Sequence, residues 1–341
     1  MAEFSAVPRP DNQARKAVNA ALAATPRGAS FGRLTEPAVW LAGCQSAVPA
    51  STPQNVQVMV FEGEHGIAQR TFEEVGLSAY APEADAEQAE EIARGFGPVQ
   101  SLAQRYGARV DTLHCEASAP IDESDAMSSE VFTASLEAGK AAADRAADAG
   151  VDLAIPAEHG VGGTTVAAVI MGSLTSTEPV AIVGPGSGTT DAMWKTKVAV
   201  IRDAMFRARN LDMLELAQAA SSPSFVAMLG FIAQCAVRRT PVLIDGPFAA
   251  TAAALAERIA PGTREWLYAT SVSAEPAHVL ALQDLELIPL LSLEMRNGLG
   301  LGALSALPLI ASGVELAADQ VAVTDSADEP HEPEPRDDAQ D

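Results

Sequence analysis

Short runs of β-branched and apolar residues recur along this chain, and each is followed by a glycine-bearing loop and then an alanine-rich helical stretch. Alternation of strand, loop and helix requires right-handed crossovers, so it predicts an α/β protein with a mostly parallel sheet flanked by helices. The runs that predict strands are Val56–Phe61, Arg109–Leu113, Val151–Ile155, Pro179–Val183, Pro241–Asp245, Trp266–Thr270 and Leu285–Leu291. The amphipathic stretches that predict helices between them are Glu83–Tyr106, Ser129–Ala149, Thr190–Ala208 and Phe248–Ile259.

The two ends of the chain lack this alternation. Residues 1–45 and 302–320 contain helical patterns without a strand, which predicts one small helical subdomain built from both ends. Residues 46–301 form the predicted α/β domain. From Asp325 to Asp341 the chain is rich in proline and holds eight acids and one arginine, which predicts a disordered acidic tail.

The balance of charge limits the partners that the protein can have. Its formal net charge is −23, and nucleic acid and anionic membranes both require a basic surface. Neither is therefore an expected partner, and a bound phosphate must be held by backbone amides and a few local cations. The three cysteines are widely spaced, and the chain shows neither a signal peptide nor a membrane span, so we predict a cytoplasmic protein with reduced thiols.

Two glycine-rich loops stand where predicted strands end and helices begin. Residues 160–165 read Gly-Val-Gly-Gly-Thr-Thr, and residues 184–191 read Gly-Pro-Gly-Ser-Gly-Thr-Thr-Asp. Glycine lets the backbone approach an anion, and the start of a helix adds aligned amide donors. One such loop is commonly just a tight turn. Two in succession favour a site for phosphate or ribose at the carboxyl ends of the strands.

Several familiar motifs are absent from the sequence. Neither glycine loop completes GxGxxG, there is no GxxxxGK[ST], and residues 186–188 lack the GxSxG frame of a nucleophile elbow. The histidines show no HxxxH spacing, so no metal site is predicted.

Two glutamates, Glu64 and Glu158, each stand beside a histidine at the end of a predicted strand. A carboxylate in that position can orient a ribose or accept a proton, and the alternative is a solvated loop acid. Glu158 is the better candidate because it lies next to the first glycine loop.

These loops resemble the nicotinate-nucleotide:dimethylbenzimidazole phosphoribosyltransferase family of cobalamin nucleotide-loop assembly, from about Arg27 to Ile310. Residues 27–34 resemble the family's Pro-Gly-Ser-Leu-Gly-Arg-Leu signature, and residues 61–66 and 77–80 resemble its Asp-His-Gly and Val-Ser-Ala-Tyr-Pro pair. Residues 158–165 resemble Glu-Met-Gly-Ile-Gly-Asn-Thr-Thr, and residues 184–191 resemble Gly-Arg-Gly-Thr-Gly-Leu-Asp-Asp. Residues 238–246 and 273–278 complete the ordered set of matches.

The resemblance implies a Rossmann-like fold, a homodimer, and a reaction that needs no metal or organic cofactor. That reaction moves phosphoribose from nicotinate mononucleotide to a benzimidazole-type base, which gives α-ribazole phosphate and nicotinate. Glu158 matches an active-site carboxylate, and Ser78, Tyr80 and Gln88 match the region that lines the base pocket. The positions that match nucleotide contacts are Gly160, Gly162, Thr164, Gly184, Gly186, Ser187, Gly188, Lys197 and Ser273.

The chain departs from the family where the chemistry is concentrated. The family carries its general base in Met-Arg-Leu-Gly-Glu-Gly, and here Leu299 stands at the glutamate position, where it cannot accept a proton. Gly163 replaces the asparagine of the first loop, while Pro185 and Thr190 replace an arginine and an aspartate of the second. A Gly-Gly loop of the family is Ser-Ser at residues 221–222, and the loop at residues 116–128 is short.

Two main hypotheses follow from these departures, and a different glycosyl-transfer reaction is the remaining alternative. In the first, the chain is an active phosphoribosyltransferase with an altered choice of base or with a relocated proton acceptor, for which Glu275 and Glu294 are candidates. In the second, it is a catalytically weakened paralogue that binds a nucleotide or azole as a binding or regulatory protein. The sequence does not specify which azole is accepted.

Overall fold

The predicted alternation of strands and helices corresponds to a five-stranded parallel sheet in the computed structural model, which describes residues 4–328. The strands, in chain order, are β1 (Val56–Glu62), β2 (Thr71–Phe72), β3 (Val75–Gly76), β4 (Arg109–His114), β5 (Leu153–His159), β6 (Val242–Ile244) and β7 (Leu267–Ala269). The main sheet has the order β4-β1-β5-β6-β7, and β2 and β3 form a separate antiparallel hairpin. The predicted fold class is therefore confirmed.

The helices account for most of the remaining chain. They are α1 (Asn12–Ala23), α2 (Pro26–Ala29), α3 (Glu36–Gln45), α4 (Ala84–Ala93), α5 (Gly97–Tyr106), α6 (Ser129–Asp148), α7 (Gly163–Thr175), α8 (Pro179–Ile182), α9 (Asp191–Ala208), α10 (Met213–Ala220), α11 (Pro223–Val237), α12 (Gly246–Ile259), α13 (Pro276–Asp284) and α14 (Leu301–Asp328). Short 3-10 turns lie at Gly32–Thr35, Gly66–Gln69 and Thr263–Trp266.

Three local predictions were wrong. The run Pro179–Val183 forms the short helix α8, because a proline at the first helical position is preorganised for helix and supplies no amide to a strand. The run Leu285–Leu291 is irregular and joins the sheet through a single bridge, from Leu291 to Ser271. The predicted helix Glu83–Tyr106 is split into α4 and α5, because Gly95 and Gly97 both take positive φ values, of 75° and 87°.

The centre of the sheet is fully buried. Every residue of β1 is buried, and β1 lies between β4 and β5 with parallel register to both. Burial on both faces explains why this strand is apolar except at Gln57 and Glu62 and does not alternate between apolar and polar residues. The carboxyl ends of β1, β5, β6 and β7 therefore meet at one edge of the sheet, and the loops that leave them converge there.

Helices α6 and α11 pack together unusually closely beside the sheet. A Cβ atom on Gly139 of α6 would overlap the carbonyl oxygen of Ala227 in α11. The contact is reciprocal, because a Cβ atom on Gly230 of α11 would lie 2.5 Å from the carbonyl oxygen of Leu136 in α6. One glycine on each helix thus allows two backbones to approach to a distance that side chains would prevent.

The chain divides into two compact units. Among the described residues, the larger unit consists of residues 4–10 and 53–308, and the smaller unit consists of residues 11–52 and 309–328. The smaller unit draws α1, α2, α3 and most of α14 from the two ends of the chain. Within it, a Cβ atom on Gly313 would overlap the carbonyl oxygen of Leu34, so α14 is held close to the turn before α3.

The last helix bears on two further predictions. Helix α14 continues through Asp328, and the rest of the predicted acidic tail, residues 329–341, lies outside the described residues. Judged only by length and composition, Leu301–Thr324 is the one helix in the described chain that would be able to cross a membrane, with a mean hydropathy of 1.6. Since 44% of that stretch is buried inside the protein, a core helix explains the same composition.

Candidate active site

A cleft lies at the edge of the sheet where the loops from β5, β6 and β7 converge, entirely within the larger unit. Every residue that the resemblance matches to the site lines it except Gly184 and Gly188, whereas the further candidates Glu64 and Glu294 are exposed and do not line it. From the glycine loops and helix α9 these are Gly160, Gly162, Thr164, Gly186, Ser187 and Lys197, and from the remaining loops they are Ser78, Tyr80, Gln88, Glu158, Ser273 and Leu299. Positions separated by more than 200 residues in the chain thus share one cavity. The individual roles assigned to them remain predictions.

The first glycine loop turns β5 into helix α7 at the floor of the cleft. Gly162 is the N-terminal cap of α7 with φ of 102°, a conformation that favours glycine. The amide of Val161 donates to Oδ1 of Asp85 over 2.7 Å, which fixes the loop. Burial raises the pKa of Asp85 above its ordinary value, and this hydrogen bond opposes the shift. The loop consequently presents the start of a 13-residue helix to the cavity.

Lys197 reaches the same helix start from α9. Its Nζ donates to Oγ1 of Thr164 over 2.7 Å, and the residue is only 2% exposed. Burial lowers the pKa of Lys197, and the nearby carboxylate of Glu275 opposes that shift. A buried ammonium group beside the N-terminus of α7 gives this loop the features of a candidate anion site in a molecule that is otherwise strongly acidic.

The second glycine loop, at residues 184–191, lies on the opposite wall of the cleft and follows helix α8 rather than a strand. The amide of Gly186 donates to Oε1 of Glu275 over 2.7 Å. A Cβ atom on Gly184 would lie 2.5 Å from that same oxygen, so Gly184 makes room for the carboxylate instead of lining the cavity. The hydroxyl of Ser187 donates to the carbonyl of Arg296 over 3.1 Å, which ties this loop to the segment before Leu299.

Glu158 stands at the end of β5 with its carboxylate turned into the cleft. Oε1 lies 3.2 Å from Nε2 of His65, and the side chain of Glu158 is 10% exposed while that of His65 is completely buried. The amide of Glu158 donates to the carbonyl of Gly298 over 2.9 Å. The carboxylate is thus fixed between the β1 loop and the segment that carries residue 299.

The segment 295–299 forms another wall of the cleft and ends in Leu299, which is 6% exposed. The amide of Leu299 donates to Oδ1 of Asn297 over 2.9 Å. The structure distinguishes between the two glutamates that were predicted to replace the missing general base. Glu294 is exposed and does not line the cleft. Glu275 lines it, but its carboxylate holds the second glycine loop.

The predicted base-pocket residues approach from the β2–β3 hairpin side. Ser78 and Tyr80 follow β3, and Gln88 lies on α4. The amide of Tyr80 donates to the hydroxyl of Ser78 over 3.2 Å, and the tyrosine is 49% exposed at the mouth of the cleft. This wall combines an aromatic ring with two polar side chains, a combination that suits a flat heteroaromatic ligand.

Sequence reasoning missed several residues of the cavity. Asp245 follows β6, and it accepts hydrogen bonds from the hydroxyl of Ser271 and, over 2.7 Å, from the amide of Gly302 at the start of α14. Burial raises the pKa of Asp245. The Asp-Gly dipeptide after a strand was visible in the sequence. Its role as a helix cap was not, because the capped helix begins more than 50 residues later.

His278 and Ser273 form a buried pair behind the cleft. The amide and hydroxyl of Ser273 lie 3.1 and 3.0 Å from Nδ1 of His278, so this nitrogen is an acceptor and the ring is neutral. Burial lowers the pKa of His278 to about 4.

We expect His278 to make folding stability depend on pH. The unfolded chain binds a proton near pH 6.5 and the folded protein only near pH 4, so stability is complete above that window and falls as the pH decreases through it. The loss amounts to about 1.4 kcal/mol per pH unit at most. Urea unfolding of the wild type and of His278→Gln at pH 7 and pH 4.5 measures it. The assignment would be contradicted if the free energies of unfolding of the wild type and of His278→Gln differed by the same amount at both pH values.

No group of three or more His, Cys, Asp or Glu side chains in the described part of the chain is arranged to hold a metal ion. The three cysteines are free thiols, and Cys235 is buried.

Comparison with known proteins identifies relatives along nearly the whole chain. A phosphoribosyltransferase family, DBI_PRT, matches residues 7–328. The nicotinate-nucleotide–dimethylbenzimidazole phosphoribosyltransferase of Corynebacterium glutamicum (strain ATCC 13032) is 42% identical over 305 residues, which cover 85% of this chain and 84% of the relative. The protein of the same name from Mycobacterium avium (strain 104) is 41% identical over 333 residues, which cover 92% and 94% of the two chains.

Solved structures give the same result. The crystal structure of CobT from Thermus thermophilus superimposes with a TM-score of 0.82 at 27% identity, covering 89% of this chain and 96% of that one. A second structure from the same organism, a nicotinate-nucleotide–dimethylbenzimidazole phosphoribosyltransferase, gives a TM-score of 0.81 at 26% identity, covering 90% of this chain and 96% of that one.

Proposed function

Because this chain belongs to the phosphoribosyltransferase family DBI_PRT, we propose that it transfers phosphoribose from nicotinate mononucleotide to a benzimidazole-type base in cobalamin biosynthesis. The products are α-ribazole phosphate and nicotinate. The observation that carries the proposal is a single cleft that combines a buried cation at a helix start, a carboxylate and a wall suited to a flat ring.

The phosphate of the nucleotide is assigned to the first glycine loop. Lys197 supplies the positive charge, and the amides at the start of α7 supply aligned donors beside Thr164. Fixing the phosphate also fixes the ribose, so that C1′ is held in one position for attack. The acidic surface of the protein makes this local cation essential, since the overall field repels the nucleotide.

The donor is activated by its own chemistry. Its pyridinium ring carries a positive charge, so the C1′–N bond weakens readily and the sugar gains oxocarbenium character. A carboxylate close to C1′ stabilises that developing positive charge electrostatically. Glu158 is in the right part of the cleft for this role.

The acceptor base is assigned to the wall formed by Ser78, Tyr80 and Gln88, with Leu299 as an apolar boundary. A benzimidazole-type ring has apolar faces and one polar edge, which matches such a surface. Two further properties belong to the proposal on the strength of the family resemblance. We expect a homodimer in solution and a cytoplasmic location.

A second candidate function is a binding or regulatory protein that holds a nucleotide or azole without turnover. It is favoured by one observation, that Leu299 lines the cleft where the family pattern has its general base. Loss of a general base typically lowers the rate by about 10²–10⁴-fold.

A turnover assay separates the two candidates. Nicotinate release from nicotinate mononucleotide and benzimidazole is measured for the wild type and for Leu299→Glu. We expect turnover by the wild type. Turnover that appears only in Leu299→Glu would identify a weakened paralogue. If neither protein turns over while the nucleotide still raises the melting temperature, the chain is a binding protein.

A further inference from the structure

We infer that the general base of this chain has moved from position 299 to Glu158, which His65 holds in place. The Glu158 carboxylate then takes the proton that the benzimidazole-type substrate loses, in place of a carboxylate at position 299. The inference rests on the proposed function and concerns the same cleft. It follows from the contacts of the four carboxylates that line the cavity and from two departures from the family pattern that the structure brings together.

Three of these four carboxylates are already engaged in holding the fold. Asp85, Asp245 and Glu275 each accept a hydrogen bond from a backbone amide of a loop or helix start, over 2.7 Å in every case. Protonating any of them would weaken the loop that it holds. Each is also less than 10% exposed, so a ligand has little access to its oxygens.

Glu158 differs from them because neither of its carboxylate oxygens accepts a hydrogen bond from a backbone amide of the described residues, so its protonation releases no loop. Oε1 contacts Nε2 of His65, whereas no hydrogen bond from the described residues engages Oε2. Oε2 lies on the side of Gly298, where an added Cβ atom would stand 2.8 Å from it. The free oxygen therefore faces the segment that carries Leu299, next to the position of the lost glutamate.

The second departure makes this orientation possible. A Cβ atom on Gly163 would overlap Oε1 of Glu158, so the carboxylate occupies the space that a side chain at position 163 would need. The family pattern has asparagine at this position. Loss of the side chain at position 163 and loss of the carboxylate at position 299 are therefore complementary changes. The first makes room for the Glu158 carboxylate, and that carboxylate then replaces the one that is missing at position 299.

His65 acts as a positioning residue. Its ring is fully buried, packs against Phe248 at a centroid distance of 5.6 Å, and contacts Glu158 through Nε2. Its Nδ1 is buried and has no hydrogen-bond partner among the described residues. The contact with Glu158 is thus the only polar anchor of the ring in the described chain, and it orients the carboxylate with Oε2 toward the cleft.

The transfer step forms one bond to C1′, breaks another and moves one proton. One nitrogen lone pair of the acceptor forms the new bond to C1′, while the bond from C1′ to the pyridinium nitrogen breaks and its electron pair stays on the released nicotinate. The second nitrogen of the acceptor gives up its proton to Oε2 of Glu158. The resulting carboxylic acid then loses that proton to water, which restores the carboxylate for the next turnover.

The decisive experiment compares Glu158→Gln with Glu158→Gln/Leu299→Glu in the nicotinate-release assay. We expect the single variant to lose about 10²–10⁴-fold in kcat, and the double variant to recover at least about 10-fold of that loss. Glu294→Gln is the matched control, because this glutamate is exposed outside the cleft, and its kcat should equal that of the wild type. Full activity of Glu158→Gln, or no recovery in the double variant, would overturn the inference.

A second pair of variants tests the positioning by Gly163 and His65. Gly163→Asn displaces the end of the Glu158 side chain, and it preserves folding because residue 163 has ordinary helical geometry. We expect Gly163→Asn and His65→Gln each to lower kcat, and Leu299→Glu to relieve both defects. A defect that Leu299→Glu leaves unchanged would mean that these residues act on something other than the proton acceptor.

The outcomes distinguish this inference from the proposed function. Absence of nicotinate release from the wild type and from Leu299→Glu alike defeats the proposed function itself. Release by the wild type that is unaffected by Glu158→Gln defeats only the relocation of the base. Release that requires Leu299→Glu also defeats the relocation, because the cleft would then contain no working acceptor of its own.

Discussion

Replacing Lys197 by methionine should weaken the binding of nicotinate mononucleotide by about 100-fold, or about 2.7 kcal/mol. Lys197 is buried at the start of α7, where it donates to Thr164, and the other Lys or Arg of the described chain that lines the cleft is the exposed Arg296. Methionine keeps the length and volume of the buried chain, so the change removes the charge and leaves the packing. Isothermal titration calorimetry with nicotinate mononucleotide measures the effect.

Lys195→Met is the matched control, because Lys195 lies on the same helix and is exposed. Because salt screens an exposed charge, Lys195→Met should change the affinity for nicotinate mononucleotide by no more than about threefold at physiological salt. Equal losses in the two variants would show that overall charge, and not the buried ammonium group, governs binding.

The same lysine predicts how nucleotide binding depends on pH. Only the protonated ammonium attracts a phosphate, and burial lowers the pKa of Lys197 below the ordinary value of 10.5. Binding should therefore be complete below the lowered pKa and be lost as the pH rises through it, before an ordinary lysine would titrate. Lys197→Met should not show this loss. A wild-type affinity that stays constant up to pH 10.5 would contradict the expectation.

Replacing Gly139 by valine should lower the free energy of unfolding by about 3 kcal/mol or more. A side chain at this position meets the backbone of α11 at Ala227, and a carbonyl group cannot move aside as the end of a flexible side chain can. The two helices must separate, and the buried surface between them is then packed less well. Equilibrium unfolding in urea measures the loss.

Ala134→Val on the same helix provides the control. Ala134 is exposed, so valine there should cost only the difference in helix propensity, about 0.5 kcal/mol. If both valines cost the same, the close approach of α6 and α11 is not needed for stability.

The parallel sheet was predictable because strand, turn and helix signals are local. The apolar run at Val56–Phe61 can be buried on both faces only in a parallel sheet covered by helices, and it forms the buried strand β1. The local pattern predicted the wrong element where a single proline or glycine changes the backbone conformation. Pro179 turns a β-branched run into the start of a helix, and Gly95 and Gly97 break a segment whose pattern predicts one helix.

Part of the cleft was also predictable. In a parallel sheet the carboxyl ends of all strands share one edge, so residues that follow different strands must converge there. This rule, together with the family resemblance, identified Glu158 and the first glycine loop. The second loop follows helix α8 rather than a strand, so for that loop only the resemblance applies. It gave no sign of His65 as the partner of Glu158, because 93 residues separate the two and the Asp-His-Gly resemblance carries no information about distance.

Spacing and residue type along the chain thus determined the fold class, the edge of the sheet where the cleft lies, and the absence of a carboxylate at position 299. Only the tertiary structure decided which remaining carboxylate of the cleft holds no backbone amide, because that depends on hydrogen bonds between distant loops. It also decided the role of Gly163, which in the sequence is one more glycine in a flexible loop. In the folded protein, the missing side chain at Gly163 leaves the space that the carboxylate of Glu158 occupies. This contact exists only once β5, α7 and the segment before α14 are packed together.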